Sequence, residues 1–265
     1  MKKKCAVIQF PGSNCEYETI RALQNEGIPT EILPWNCSED QFFKFSSYVL
    51  PGGFSFQDRI RAGAVASKLP IISFLKKADK NNLPILGICN GCQILAETGL
   101  VPDNSHKIKI ALAPNMKDNK RFGFICDWVF VTIKKPKNNV FTQLFSEDDV
   151  IPIPVNHGEG NMKIIDDGSC NIENKTTLNY VDSKGVQHET FPTNPNGATA
   201  NIAGISNDKG NILAMMPHPE RANLLMQIPH YIQSSWAHQK RHTLLSRSDK
   251  GPWSLLFQSL KQGMQ

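Results

Sequence analysis

The chain lacks several features that would have settled its class at once. None of its apolar runs approaches the roughly 18 residues that a membrane span requires. The start Met1-Lys2-Lys3-Lys4 has the charge of a signal n-region, but the apolar run behind it stops at Phe10, before Pro11-Gly12, and so reads as a buried strand. Its 7 cysteines are an odd number in no framework spacing, which argues for a reducing compartment, the cytoplasm, rather than a disulfide scaffold. Zinc requires a second C-x-x-C, and Cys89-x-x-Cys92 has none; Cys5, Cys15, Cys37, Cys126 and Cys170 are scattered, so no metal is expected. No G-x-x-x-x-G-K-[ST] loop, internal repeat or low-complexity segment occurs. The net charge of +5 is mild and divided among 107–121, 134–137 and 238–250, solvated faces with no nucleic-acid module around them.

What is present is a 265-residue chain, 40% hydrophobic, able to bury the core of one α/β domain over its whole length, 1–265. Its first half reads β-α-β-α-β: strands at 5–10, 31–35 and 48–50, helices from Tyr17 to Gly27 and from Glu39 to Phe45. A helix over 59–80, kinked at Pro70, precedes the strand that ends at Cys89. Such alternation predicts a mostly parallel sheet covered on both faces, with ligands beyond the strands' carboxyl ends. The stretch 99–120 reads as a connecting loop. Strands at 124–133, 150–155, 200–206 and 212–216 read as an antiparallel extension, and 253–262 as a closing amphipathic helix.

Pro84-Ile85-Leu86-Gly87-Ile88-Cys89-Asn90-Gly91-Cys92-Gln93 organises the chain. An apolar strand enters a cysteine flanked by Gly87 and Gly91 and leaves in a helix, the spacing of a nucleophile elbow. The positive end of a helix favours a thiolate there, lowering a pKa from about 8.5. Cys92 leaves two readings open: a redox partner for Cys89, or a small apolar core residue. A cysteine nucleophile needs a base and a group to orient it. Two pairs offer this. In Pro217-His218-Pro219-Glu220 the prolines keep the backbone extended, so His218 and Glu220 point the same way; His157-Gly158-Glu159-Gly160 suggests a flexible loop at a ligand. The amides of Gly52, Gly53 and Asn90 are candidates for an oxyanion hole.

These motifs resemble those of the triad-type, class I glutamine amidotransferases. Pro11-Gly12-Ser13-Asn14-Cys15, Pro51-Gly52-Gly53-Phe54-Ser55, Arg61-Ala62-Gly63-Ala64, Cys89-Asn90-Gly91, His157-Gly158-Glu159-Gly160 and Met216-Pro217-His218-Pro219-Glu220-Arg221 resemble, in this order, the glutaminase subunits of phosphoribosylformylglycinamidine synthase. The resemblance implies a three-layer, flavodoxin-like sheet. It implies Cys89 as nucleophile, His218 as base, Glu220 as its orienter and Gly53 and Asn90 as oxyanion donors. Gly52, Gln93, His157 and Gly158 would contact L-glutamine. It also implies a larger synthetase subunit that holds ATP and Mg, a small bridging subunit, and no cofactor in this chain. Two departures stand out: Cys92 occupies a position that is usually aromatic, and 222–252 differs from the family pattern. A dithiol oxidoreductase or a binding-only regulatory subunit would instead tolerate loss of His218 or of Cys89, respectively.

Overall fold

The computed structural model describes residues 3–264 except 119, 148, 166, 167, 169, 170, 245 and 247; Cys170 and the first two residues of the lysine-rich start therefore lie outside the described residues. The first half runs β1 (Cys5–Gln9), α1 (Glu16–Asn25), β2 (Thr30–Pro34), α2 (Glu39–Phe42), β3 (Ser47–Leu50), α3 (Ile71–Lys80), β4 (Ile85–Ile88) and α4 (Asn90–Thr98). The second half contains β5 (Ile110–Ala113), β6 (Met116–Lys117), β7 (Lys120–Arg121), β8 (Ile125–Ile133), β9 (Ile151–His157) and β10 (Asn161–Ile164). It closes with α5 (Ile172–Lys175), β11 (Thr176–Val181), β12 (Ile202–Ser206), β13 (Ile212–Met215), α6 (Ser235–His242) and α7 (Ser254–Gly263).

Strands β3, β4 and β13 are buried at every position, the continuous apolar pattern of a parallel sheet covered on both faces. One sheet in the order β2-β1-β3-β4-β13-β12-β11-β8-β9 carries the molecule. Its first five strands pair in parallel and the remaining pairs are antiparallel. Right-handed crossovers put α1 on one face and α2 and α3 on the other, where the rings of Phe42 and Phe74 meet with centroids 5.6 Å apart. The expected mixed α/β sheet is present.

Four expectations need correction. Residues 59–69 do not continue a helix. Phe56, Gln57, Asp58, Ile60 and Gly63 all have φ between 51° and 78°, a left-handed backbone that an α-helix cannot contain, so α3 starts only after Pro70, whose missing N–H costs nothing there. The stretch 99–120 is not all loop: β5 pairs antiparallel with β10, and β6 with β7. The strand at 212–215 is not part of the antiparallel extension alone, since β13 lies parallel to β4 on one side and antiparallel to β12 on the other. His157 ends β9 rather than sitting in a flexible loop. Strands β10 and β11 had no reading in the sequence.

The segment 222–252 is an excursion pinned at its base. Gly251 donates to the Asn223 carbonyl and Trp253 to that of Ala222, while the Lys240 ammonium caps the carbonyls of Met226 and Ile228. No described helix is long and apolar enough to cross a membrane.

The elbow depends on close packing beneath α4, all of whose residues are buried. A Cβ at Gly91 would sit 2.0 Å from the Leu50 carbonyl oxygen, and one at Gly87 would sit 2.6 Å from the Gly91 carbonyl oxygen. Because both obstacles are backbone, no rotamer change relieves them. Gly91→Ala is therefore expected to lower the unfolding free energy by about 2 kcal/mol or more, an overpacking cost, as read from the denaturant midpoint. A midpoint unchanged from wild type would contradict this packing.

Candidate active site

Four chain segments meet at the carboxyl edge of the parallel strands. The loop after β1 joins the loop after β3 through a bridge between Ser13 and Gly53, and Asn14 and Cys15 both donate to the Gly52 carbonyl. Cys89 follows β4 and His218 follows β13, the neighbouring parallel strand, so sheet register alone brings thiol and imidazole to the same edge. This is the edge where doubly wound sheets bind ligands.

Cys89 has φ 50° and ψ −104°, a strained conformation held by its own N–H donating to the Met215 carbonyl at 2.8 Å. It is 5% exposed, and its thiol lies 3.5 Å from the Asn156 carbonyl oxygen. His218 is anchored by its backbone N–H to the Pro154 carbonyl, and its Nδ1 is 2.5 Å from Glu220 Oε1. Both side chains are buried. Burial alone would depress the His218 pKa, but the Glu220 carboxylate, helped by Cys89 and Cys15, outweighs it and holds the imidazole well above its ordinary value. Its Nε2 has no aligned hydrogen bond among the described residues, although the Cys89 and Cys15 thiols both lie close enough to perturb it. A paired Nδ1 and an open Nε2 are what a proton carrier requires.

Arg221 sets the charge balance behind this pair. Its guanidinium donates twice to Glu18 Oε1, at 2.7 and 3.0 Å, and once to Cys15 Sγ at 3.2 Å, while its Nε stands 4.0 Å from Glu220 Oε1. Cys15, Glu18, His218 and Glu220 present ligand atoms within 4.8 Å of one another, the geometry of a small cation site, and Arg221 supplies the positive charge there. Burial pushes the Cys15 thiol up to about 11, so it stays protonated at neutral pH.

A cavity of about 380 Å³ joins Cys89, His218, Gly53, Gln93, His157 and Gly158. Gly52 and Asn90 stand outside that lining. A Cβ at Gly52 would lie 2.8 Å from His218 Cε1 and 3.0 Å from Cys15 Sγ, so this glycine makes room for the base rather than for a ligand. The Asn90 side chain braces the site: it accepts from Ser55 N–H and donates to Gln93 Oε1 at 2.9 Å and Asp58 Oδ1 at 3.3 Å. Gln93 in turn donates to the Glu159 carbonyl at 2.7 Å. Cys92 is fully buried and its thiol is pushed far up by burial, with the Cys89 charge adding to the effect, so it packs as a core residue.

His157 has a different environment from His218. Asn115 donates to the carbonyls of His157 and Gly123, which fixes its amide so that Oδ1 accepts from His157 Nδ1 at 3.1 Å and from Gly160 N–H. Its ring is therefore a neutral tautomer with an open Nε2. Burial, then the positive charge of His218, lowers its pKa from 6.5 to about 3. Asn115, Asp58, Glu18 and Arg221 went unassigned in the sequence reading; only Arg221, inside the His-Pro-Glu-Arg motif, carried a signal.

The His157 shift has a stability consequence with a definite sign. Its folded pKa lies below its unfolded value, so the unfolded chain binds the extra proton, and stability present above pH 6.5 is lost as pH falls towards about 3. In His157→Gln, the slope of unfolding free energy against pH between about 6 and 4 is expected to be shallower by up to about 1.4 kcal/mol per pH unit. Chemical denaturation at stepped pH measures it, and an unchanged slope would contradict a buried neutral ring.

Comparison with known proteins gives the family of the chain. Residues 2–262 match the model of the CobB/CobQ-like glutamine amidotransferase domain. The chain is 38% identical over 269 residues to the phosphoribosylformylglycinamidine synthase subunit PurQ of Methanothrix thermoacetophila, covering 98% of this chain and 97% of that one. Against the PurQ subunit of Pyrococcus furiosus it is 41% identical over 220 residues, 83% of this chain and 89% of the other. Among solved structures, a chain of PurLQS from Thermotoga maritima superposes with a TM-score of 0.74 at 30% identity, all of both chains being covered. A glutamine amidotransferase of the same organism, 14% identical with a TM-score of 0.55, shares the fold. The chain belongs to the PurQ family, the class I glutamine amidotransferase subunits of phosphoribosylformylglycinamidine synthase.

Proposed function

We propose that Cys89, His218 and Glu220 hydrolyse L-glutamine to glutamate and ammonia in the cytoplasm, and that the ammonia serves the ATP-dependent amidation of formylglycinamide ribonucleotide by a partner. The observation that carries the triad is the His218–Glu220 contact of 2.5 Å, just beyond β13, the strand parallel to the one that ends at Cys89, with His218 and Cys89 lining one cavity. With the thiol proton held at His218 Nε2 in the imidazolium that Glu220 stabilises, the Cys89 thiolate attacks the side-chain carboxamide carbon. His218 then returns the proton to departing ammonia, leaving a thioester on Cys89. Water attacks that thioester with His218 again as base, and glutamate leaves. Glu220 steadies the imidazolium in both half-reactions.

The backbone N–H groups of Gly53 and Asn90 fit the oxyanion role by position. Gly53 lines the cavity, and Asn90 follows the nucleophile at the first turn of α4, where N–H groups have no partner within the helix. Gln93, His157 and Gly158 are assigned to substrate contact. The assembly named PurLQS that contains the similar Thermotoga maritima chain supports partner subunits for this chain; a larger synthetase subunit holding ATP and Mg and a small bridging subunit are what the family resemblance implies. One sheet drawing strands from β1 to β13 supports treating 1–265 as a single domain.

Cys89→Ala is expected to abolish glutamine hydrolysis while sparing synthesis from added ammonia by the reconstituted complex; retained glutaminase activity would remove Cys89 from the mechanism. His218→Ala is expected to lower kcat by about 10²- to 10⁴-fold, the usual cost of losing a general base. His157→Ala should act chiefly on KM. Equal losses of kcat in steady-state assays of the two variants would assign the base wrongly.

A further inference from the structure

Arg221 is the charged side chain of the His-Pro-Glu-Arg motif that glutamine hydrolysis leaves without a task. The short turn Pro219–Arg221, closed by the Arg221 N–H donating to the His218 carbonyl at 3.3 Å, folds the guanidinium back beside the catalytic pair. Its Nε lies 4.0 Å from Glu220 Oε1, the same oxygen that meets His218 Nδ1 at 2.5 Å. That oxygen therefore stands between an imidazole and a guanidinium. The guanidinium is held in turn by the start of α1: Glu18 Oε1 accepts from its Nε and Nη2 at 3.0 and 2.7 Å, and Cys15 Sγ accepts from Nη2 at 3.2 Å. The Cys15 and Asn14 N–H groups fix that end of α1 to the Gly52 carbonyl, so the Pro11–Cys15 motif, which has no part in the triad, serves to seat Arg221.

The two half-reactions ask opposite things of His218. It must hold a proton while the Cys89 thiolate attacks, give it to departing ammonia, and then be neutral to take one from water. A buried carboxylate in contact with the ring, with no charge behind it, favours the imidazolium and works against the second requirement. A cation on the far side of the same oxygen weakens that hold. The charged and titratable groups that face His218 are Glu220 and Arg221 from its own turn, Cys15 and Glu18 from α1, Cys89 from the elbow and His157 from β9, with Asp58, Glu159 and Arg121 lining the same cavity. Of these, Arg221 is the cation placed against Glu220.

We propose that Arg221, seated by Glu18 and Cys15, is a positioning residue of the triad: by drawing on the charge of Glu220 it keeps the His218 proton exchangeable through both half-reactions. The inference rests on the glutaminase reading. Its test is the pH profile of glutamine hydrolysis by the full chain assembled with its synthetase partner, read at the alkaline limb of kcat/KM, where the imidazolium beside the Cys89 thiolate loses its proton. Arg221→Met removes the positive charge and is expected to move that limb up by about one pH unit. Glu18→Gln keeps an acceptor for the guanidinium but removes the charge that opposes it, and is expected to move the limb down by about half a unit. The double variant should fall between the two single ones. Arg221→Lys, which keeps the charge without the fork, should stay within about 0.3 unit of wild type.

A side chain that only braced the fold would lower activity at every pH and leave the limb in place. An alkaline limb unmoved by Arg221→Met, or moved in the same direction by Arg221→Met and Glu18→Gln, would overturn the assignment. Should Arg221→Met not fold, Glu18→Gln decides alone, and a limb at or above the wild-type position overturns it. Should wild type release no ammonia from glutamine, the glutaminase reading falls and the inference with it, a result distinct from an active enzyme whose limb stays fixed.

Discussion

The contact on which the site depends is the one between Glu220 and His218, a carboxylate and an imidazole 2.5 Å apart and both almost wholly buried. Placing a carboxylate there is costly unless a positive partner is held against it. The sequence supplies that partner two residues away on a backbone that prolines keep extended, and a second cation, Arg221, one residue further on. Arg221 then reaches across to Glu18 on α1, so the charge behind the base is balanced by the opposite end of the chain. The effect is a base whose proton affinity is raised by its environment and whose free nitrogen faces the nucleophile's side.

The nucleophile is positioned by steric exclusion instead. Gly87 and Gly91 allow α4 to press against β3 and β4 so closely that no side chain fits, and Cys89 is left in a backbone conformation that few residues adopt. Gly52 does the same for the other partner by leaving space for the His218 ring. Strain and close packing at the elbow, and a balanced buried charge at the base, are two different devices. They converge because β4 and β13 are adjacent and parallel, although about 120 residues of chain separate them.

This explains which parts could be read from the sequence. The elbow, the parallel half and the His-Pro-Glu pair are local patterns: glycines at fixed offsets, apolar runs, and residues i and i+2 on an extended chain. The helix expected over 59–69 failed because periodicity does not register a left-handed backbone, here at Ile60 and Gly63 directly after the left-handed run Phe56, Gln57 and Asp58, and Gly63 is the one glycine that signals it. Strands β5 and β10 were missed because they are short and pair with each other about 50 residues apart in the chain, so their pairing is a tertiary fact. Asn115 has no local signature at all. It matters because β9 and the turn after it bring His157 Nδ1 and the Gly160 N–H to its Oδ1.

The contrast between the two histidines follows from partners rather than from burial. Both rings are almost inaccessible, yet their pKa values move in opposite directions. His157 is bonded to a neutral amide and feels the positive charge of His218, so desolvation decides its state and it remains neutral. His218 is bonded to a carboxylate, and the ion pair overcomes the same desolvation. Charging one ring therefore helps to keep the other uncharged. A cavity with one charged and one neutral imidazole has a proton donor on one side and a hydrogen-bonding surface on the other, and that asymmetry separates the roles of two motifs that look alike in the sequence.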